Sequence, residues 1–245
     1  MGASAGGFKA FSAIVTALPP GFPLPLLLVQ HLHQDDNGAF ALHLAAESKL
    51  PVIEPCDKDQ IKCGNVYIAP AGYHLLVERG GTIALSTEEK VNWSRPSIDV
   101  LFESAARLWG ERVIGVIMTG ASSDGTAGIQ AIKAAGGLTI AQMPDTAEYP
   151  FMPQAAIDSG AVDEVLTIEE IIGRVTALKP ADNDYGSSNN TEQRRNQYLT
   201  RETSFIIKLS LNKAFSRRFF FVFTPLLSCS VFQMLFFRLK THPEH

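Results

Sequence analysis

The hydrophobic positions of residues 1–180 follow two periods, one typical of buried strands and one typical of amphipathic helices. Short apolar runs over 24–30 and 113–119 predict strands that are buried on both faces, as in a parallel sheet. Over 8–18 and 98–108, apolar residues recur every three or four positions and predict helices. The alternation of strands and helices predicts an α/β domain with a doubly wound, mostly parallel sheet covered by helices on both faces.

Weaker patterns complete this domain. Ser97 precedes the helix over 98–108 and is predicted to be its N-cap. The other predicted elements are helices over 38–48 and 126–135 and from residues 153 and 167, strands over 66–69, 138–141 and 162–165, and a hairpin formed by 75–78 and 82–85.

Composition divides the chain near residue 180. Residues 1–180 hold 12 Lys and Arg against 20 Asp and Glu, whereas the remaining residues hold 9 against 5 and most of the phenylalanines. The polar stretch over 181–190 resembles a linker. We therefore predict a catalytic domain over 1–180, followed by a linker and a hydrophobic, basic tail over 181–245.

The same composition limits the partners and the compartment. A net charge of −4 gives no basic surface for nucleic acid, and three cysteines suggest neither a disulfide framework nor a metal site. We expect a cytoplasmic protein without metal or cofactor. Residues 219–237 carry no charge, but their length barely reaches the ~20 residues of a membrane span, and Pro225 interrupts them. A tail without a selected role is the favoured interpretation, and membrane contact is the alternative.

Three segments carry residues suited to acyl transfer. The chain opens with Gly2-Ala-Ser-Ala-Gly6, in which small residues allow a sharp turn that exposes the hydroxyl of Ser4 before a helix. An apolar strand delivers His31 and His33 at its carboxyl end, and spacing alone does not choose between these two imidazoles. Asp124 follows another buried strand and precedes a helix. Each segment also has an ordinary structural interpretation, and for Asp124 that interpretation is a cap on its own helix.

Convergence favours the catalytic interpretation. Ligands bind beyond the carboxyl ends of the strands of an open α/β sheet, where Ser4, His31 and Asp124 are all expected. A serine, a histidine and an aspartate form a complete set for nucleophilic hydrolysis. The order serine, histidine, aspartate argues against an ordinary α/β-hydrolase, in which the acid precedes the histidine. An anion-binding loop over 2–7 is a weaker alternative, because no acidic ribose-binding residue follows the next strand.

Several blocks in this order resemble the catalytic domain of the chemotaxis methylesterases, the CheB family. The resemblance covers about residues 1–175. It is carried by Gly2-Ala-Ser-Ala-Gly-Gly7, Gln30-His31, Tyr67-Ile-Ala-Pro70, Arg95-Pro-Ser-Ile-Asp-Val-Leu-Phe102, Gly115-Val-Ile-Met-Thr-Gly120 with Asp124-Gly125, and Met152-Pro153 followed by Ala156-Ile157.

The resemblance implies a Rossmann-like methylesterase fold and a specific reaction. The family hydrolyses glutamate methyl esters on the cytoplasmic helices of methyl-accepting chemoreceptors, releases methanol, and in some members deamidates glutamines. Ser4 matches its nucleophile, His31 rather than His33 its base, and Asp124 its acid. Backbone N–H groups at Ala5 and Ala121 are then expected to line the oxyanion pocket, and the segment 95–99 to orient its loop and cap a helix.

Three departures from the family define the open questions. The strand that usually precedes Gly-Ala-Ser is expected to be missing, and a catalytic domain without a preceding phosphoacceptor domain is expected. Ser122 stands where the family often has glycine, so strain is expected in the loop before Asp124. The missing strand leaves a catalytically impaired, receptor-binding remnant as the alternative to an active esterase.

Overall fold

The computed structural model describes residues 1–178, so the predicted linker and tail over 181–245 lie outside the described residues. No helix in this part of the chain is long and apolar enough to cross a membrane. The elements are β1 (Gly2–Ala3), α1 (Gly7–Ala17), β2 (Leu26–Gln30), α2 (Ala39–Glu47), β3 (Val52–Ile53), β4 (Val66–Ile68), β5 (His74–Glu78), β6 (Thr82–Ser86), α3 (Ile98–Trp109), β7 (Ile114–Ile117), α4 (Thr126–Ala134), β8 (Leu138–Gln142), α5 (Phe151–Asp158), β9 (Glu164–Leu166) and α6 (Ile168–Thr176).

Seven strands form one sheet in the order β3-β4-β2-β1-β7-β8-β9, and every neighbouring pair is parallel. The predicted α/β class is therefore confirmed, and β5 and β6 form the predicted antiparallel hairpin. The expectation of a missing first strand is corrected. Gly2 and Ala3 form a two-residue central strand whose residues pair with Val29, Gln30 and Ile117.

Two apolar layers cover the two faces of the sheet. Successive residues of β2 alternate between them, because side chains of a strand point to opposite faces. Leu28 packs in the layer of α1, α2 and α6, and Val29 packs in the layer of α3, α4, α5 and the hairpin. The pattern places each helix on one side of a sheet that is buried on both faces, as the continuous apolar runs predict.

Helices α3 and α4 approach closely at Gly128. A Cβ atom at this position would clash with Cβ of Phe102, because the two atoms would lie closer than non-bonded carbon atoms can approach. Gly173 in α6 has open space instead, with no heavy atom within 4 Å of such a Cβ. The close approach at Gly128 fixes the position of α4 relative to α3, and the start of each helix carries part of the site described below.

Replacing Gly128 by alanine is expected to destabilise the protein by about 1–3 kcal/mol, because the new methyl group must push α3 and α4 apart. The matched change Gly173→Ala is expected to be neutral or to stabilise by up to about 1 kcal/mol, since alanine is the better helix former and nothing obstructs it. Urea unfolding of the full chain followed by circular dichroism measures both changes. Equal effects at the two glycines would contradict the packing constraint.

Candidate active site

The three predicted side chains lie at one edge of the sheet. Ser4 follows β1, His31 follows β2, and Asp124 lies in the loop between β7 and α4. These strands are adjacent in the order β2-β1-β7. The chain runs outward from β1 through β2 on one side and later through β7 on the other, so this edge is the topological switch point where α/β proteins bind ligands.

Ser4 occupies a tight turn from β1 into α1. Its backbone N–H donates to the carbonyl of Thr119 (2.9 Å), and Ala3 accepts from the N–H of His31 (3.2 Å). Gly6 has φ 76°, a left-handed conformation that favours glycine. A Cβ at Gly7 would lie 2.1 Å from Oε1 of Gln30. The small residues of the motif are thus required by the turn that carries the serine.

Two buried polar side chains fasten this turn. The side-chain amide of Gln30 donates from Nε2 to the carbonyl oxygen of Ser4 at 2.8 Å and to that of His31 at 3.2 Å. The hydroxyl of Thr119 donates to the carbonyl of Ala5 at 2.9 Å. Both residues are buried, Gln30 at the end of β2 and Thr119 just after β7, on the two sides of β1. Sequence reasoning identified Gln30 and Thr119 only as members of matching blocks and missed this fastening, since it depends on contacts between strands.

His31 and Asp124 form a direct hydrogen bond. Nε2 of His31 lies 2.7 Å from Oδ2 of Asp124, with side-chain exposures of 14% and 0%. The carboxylate accepts, so the neutral imidazole carries its proton on Nε2 and its lone pair on Nδ1. His33 points away into solvent, where its side chain is 84% exposed beside Asp35. The structure therefore separates the two histidines that spacing left equivalent.

Asp124 is the most heavily hydrogen-bonded carboxylate of this edge. Besides His31, it accepts from the hydroxyl of Ser97 (2.8 Å), the backbone N–H groups of Ile98 (2.7 Å) and Asp99 (3.3 Å), and the amide of Asn92 (3.2 Å). The carboxylate thus caps the amino end of α3. The local interpretation of Asp124 is wrong, because its carboxylate does not cap its own helix. Ser97 is the N-cap residue of α3, as predicted, but its hydroxyl donates to Asp124 and forms no side-chain cap bond.

The neighbouring carboxylate of Asp99 caps α4, just as Asp124 caps α3. Oδ1 of Asp99, in the first turn of α3, accepts from the N–H of Gly128 in α4 (2.7 Å). Burial raises the pKa of Asp99 to about 6 despite that hydrogen bond, and the charge of Asp124 adds to the increase. Burial also acts to raise the pKa of Asp124, but hydrogen bonds from His31, Ile98 and Ser97 outweigh it and hold that pKa below its usual value.

The free nitrogen of His31 faces a turn over 91–94. Nδ1 lies 3.3 Å from the hydroxyl of Ser94, and no hydrogen bond within residues 1–178 joins this ring to the hydroxyl of Ser4. Asn92 and Trp93 have φ values of 48° and 63°, so the turn is left-handed without glycine. Sequence reasoning missed this turn. The one available signal was Asn92, because asparagine tolerates the left-handed region better than other residues.

The predicted oxyanion donors are available for a ligand. Among residues 1–178, no protein acceptor receives the backbone N–H of Ala5 or of Ala121. Ala5 lies in the turn between β1 and α1, and Ala121 lies in the loop after β7.

The expected strain at Ser122 is absent, because the positive-φ residues other than glycine within 1–178 are Lys58, Asn92 and Trp93. The segment from Arg95 does orient its loop, with Nη1 donating to the carbonyl of Thr87 (2.7 Å).

Comparison with known proteins gives consistent matches. Residues 1–175 match the family model described as CheB methylesterase. A putative protein-glutamate methylesterase/protein-glutamine glutaminase of Leptospira interrogans is 43% identical over 194 residues, covering 79% of this chain and 96% of the relative. Protein-glutamate methylesterase/protein-glutamine glutaminase 2 of Anaeromyxobacter dehalogenans is 44% identical over 70% of this chain and 50% of the relative. The crystal structure of the Thermotoga maritima CheB methylesterase catalytic domain matches with a TM-score of 0.70 and 34% identity, covering 73% of this chain and 96% of that chain.

Asp124→Asn is expected to lower the free energy of unfolding by about 2–4 kcal/mol, because an amide nitrogen would replace an acceptor and face buried donors of α3. The control Asp35→Asn changes an aspartate that is 90% exposed, so its effect is expected to stay within about 0.5 kcal/mol. Chemical denaturation of both variants provides the comparison. A fully stable Asp124→Asn protein would show that the carboxylate is not needed for the helix cap.

Proposed function

We propose that this chain, which belongs to the CheB methylesterase family, hydrolyses glutamate methyl esters of chemoreceptors with Ser4 as nucleophile, His31 as general base and Asp124 as the acid that orients His31. The observation that carries the assignment of roles is the hydrogen bond between Nε2 of His31 and buried Asp124. It leaves the lone pair of Nδ1 at the sheet edge that Ser4 shares.

The first step forms an acyl-enzyme. The hydroxyl oxygen of Ser4 attacks the ester carbonyl carbon while Nδ1 of His31 takes its proton. The resulting imidazolium donates from Nε2 to Asp124, whose negative charge stabilises it. The tetrahedral intermediate then expels methanol, which receives the proton from Nδ1. For this exchange the side chain of Ser4 must approach Nδ1, and such catalytic hydrogen bonds commonly tighten only with substrate present.

The second step restores the enzyme. A water molecule gives one proton to Nδ1 of His31 and attacks the acyl carbon, and collapse of the intermediate returns that proton to the oxygen of Ser4 with release of the free glutamate. The unoccupied N–H groups of Ala5 and Ala121 would stabilise the negatively charged oxygen of each tetrahedral intermediate. The amino end of α1 adds its positive potential at the same place.

The same steps convert a glutamine to glutamate when ammonia leaves in place of methanol. The relatives from Leptospira interrogans and Anaeromyxobacter dehalogenans carry both activities in their names. We therefore extend the proposal to glutamine deamidation on the same receptors. Substrate side chains on the cytoplasmic helices of these receptors would place the enzyme in the cytoplasm.

The short central strand does not favour the alternative of an impaired remnant. Although β1 has only two residues, both of its neighbours hold it, and the backbone of Met1 also donates to the carbonyl of Leu27 at 2.7 Å. Ser4 is in turn anchored through its own N–H. The named relatives are enzymes, and no observation supports a phosphate-binding loop at Gly6.

Ser4→Ala is expected to reduce methanol release from methylated receptor by at least about 10⁴-fold, because no other group would form the acyl-enzyme. Gas chromatography of the methanol released from methylated receptor measures the rate of hydrolysis. The control Ser12→Ala removes a hydroxyl that bonds to Nε2 of His43 at 3.1 Å, and its rate is expected to match the unmodified protein. Retained activity in Ser4→Ala would assign the nucleophile elsewhere, with Ser94 as the first candidate.

Replacing each of the two histidines after β2 is expected to have very different effects on kcat. His31→Ala should lose at least about 10⁴-fold in kcat, because the nucleophile then has no base. His33→Ala should stay within about threefold, because its imidazole is 84% exposed and its polar partner within residues 1–178 is the exposed Asp35. The same methanol assay compares them, and circular dichroism verifies that both variants fold. Similar losses in both would exclude the assigned base.

A further inference from the structure

The turn over 91–94 contacts the imidazole of His31 directly at Nδ1 and, at Nε2, indirectly through Asp124. At one end, the hydroxyl of Ser94 lies 3.3 Å from Nδ1. At the other, the amide of Asn92 donates to Oδ1 of Asp124, whose Oδ2 binds Nε2. The turn closes on itself, because Val91 and Ser94 exchange backbone hydrogen bonds of 3.2 and 2.9 Å. A displacement of this short unit would therefore move contacts on both ring nitrogens.

Asn92 anchors this turn to the protein interior. Its Nδ2 lies 2.7 Å from Oδ2 of Asp99 and 3.2 Å from Oδ1 of Asp124, so one amide bridges two carboxylates. Both carboxylates are buried, at 5% and 0% exposure, whereas Asn92 itself is exposed at the surface. The amide group supplies two N–H donors between oxygens that would otherwise repel each other.

We propose that Asn92 is a positioning residue of the esterase: its amide holds the carboxylates of Asp99 and Asp124 together and so fixes the orientation in which Asp124 accepts the hydrogen bond from Nε2–H of His31. This inference rests on the proposed esterase function. Asn92 touches neither the ring nor the nucleophile and acts through Asp124. Because the contact of Asp124 with His31 strengthens when the imidazole becomes charged, the effect belongs to the transition state rather than to substrate binding.

The left-handed backbone provides a way to separate the amide from the shape of the turn. Asn92→Gly removes the amide and relieves the strain at φ 48°, whereas Asn92→Ala removes the amide and retains that strain. Asn65→Ala is the matched control, because it removes an amide that donates to the hydroxyl of Tyr67 (3.2 Å) before β4, at the opposite edge of the sheet.

Both Asn92 variants are expected to lower kcat for methanol release by about 10-fold to 100-fold with KM within about threefold, because the base and acid become less well aligned. Asn65→Ala is expected to leave both constants unchanged. Two results would overturn the inference. Unchanged kcat in Asn92→Gly would reduce Asn92 to a turn residue, and a raised KM with unchanged kcat would make it a substrate contact.

A second measurement does not need turnover. A strong hydrogen bond to a carboxylate moves the Nε2 proton of His31 to low field in the proton NMR spectrum. We expect this resonance in the unmodified protein, in Ser4→Ala and in Asn65→Ala, and its loss or displacement in Asn92→Gly. An unchanged resonance in Asn92→Gly would overturn the inference even if the protein were inactive. If the unmodified protein releases no methanol while Asn92→Gly still loses the resonance, the esterase proposal is overturned and the positioning role stands.

Discussion

The carboxylate of Asp124 connects the parts of the molecule that must stay aligned for the site to exist. It follows β7, caps the amino end of α3 through the N–H of Ile98, and accepts a hydrogen bond from the imidazole of His31 at the end of β2. An amino-terminal helix end is positively polarised, so it stabilises an ionised carboxylate even where no water reaches it. The same contacts therefore keep the helix capped, keep the acid charged, and orient His31.

Asp99 makes this arrangement reciprocal, since it caps α4 through Gly128 while Asp124 at the start of α4 caps α3. Exchange of caps fixes two helices against each other at the point where their backbones come closest. This exchange places two carboxylates side by side, and their contributions to the free energy of unfolding change in opposite directions with pH. The raised pKa of Asp99 makes its contribution most favourable at low pH and loses it as pH rises through about 6. The lowered pKa of Asp124 makes its contribution favourable at neutral pH and loses it as the solution becomes acidic.

How far the sequence predicts this protein depends on the range of each interaction. Continuous apolar runs identified the central strands β2 and β7, because burial on both faces leaves a local signature. Strand β3 was not predicted, because Val52–Ile53 is too short to show a period and depends on β4 for its pairing. Ser4, His31 and Asp124 were proposed together because parallel strands end at one edge, and the resemblance to the methylesterase family favoured His31 over His33. Asn92, Ser94 and Gln30 were missed, since their roles are defined by neighbours distant in sequence. The local interpretation of Asp124 as a cap on α4 is wrong for the same reason. Ser97 is the predicted N-cap residue of α3, but its hydroxyl bonds across two helices to Asp124.

The hydroxyl groups of Ser94 and Ser4 are both candidate partners of Nδ1 of His31, and their surroundings distinguish them. Ser94 forms the hydrogen bond to the ring in this structure, but its own N–H is bonded to the carbonyl of Val91, so it offers no donor to a negatively charged oxygen. Ser4 lies at the start of α1 beside the unoccupied N–H of Ala5. A nucleophile needs both a base and donors for the developing charge, and only Ser4 combines register beside His31 with such donors. In the proposed mechanism, Ser94 is the resting partner of Nδ1, and the hydroxyl of Ser4 replaces it when substrate binds.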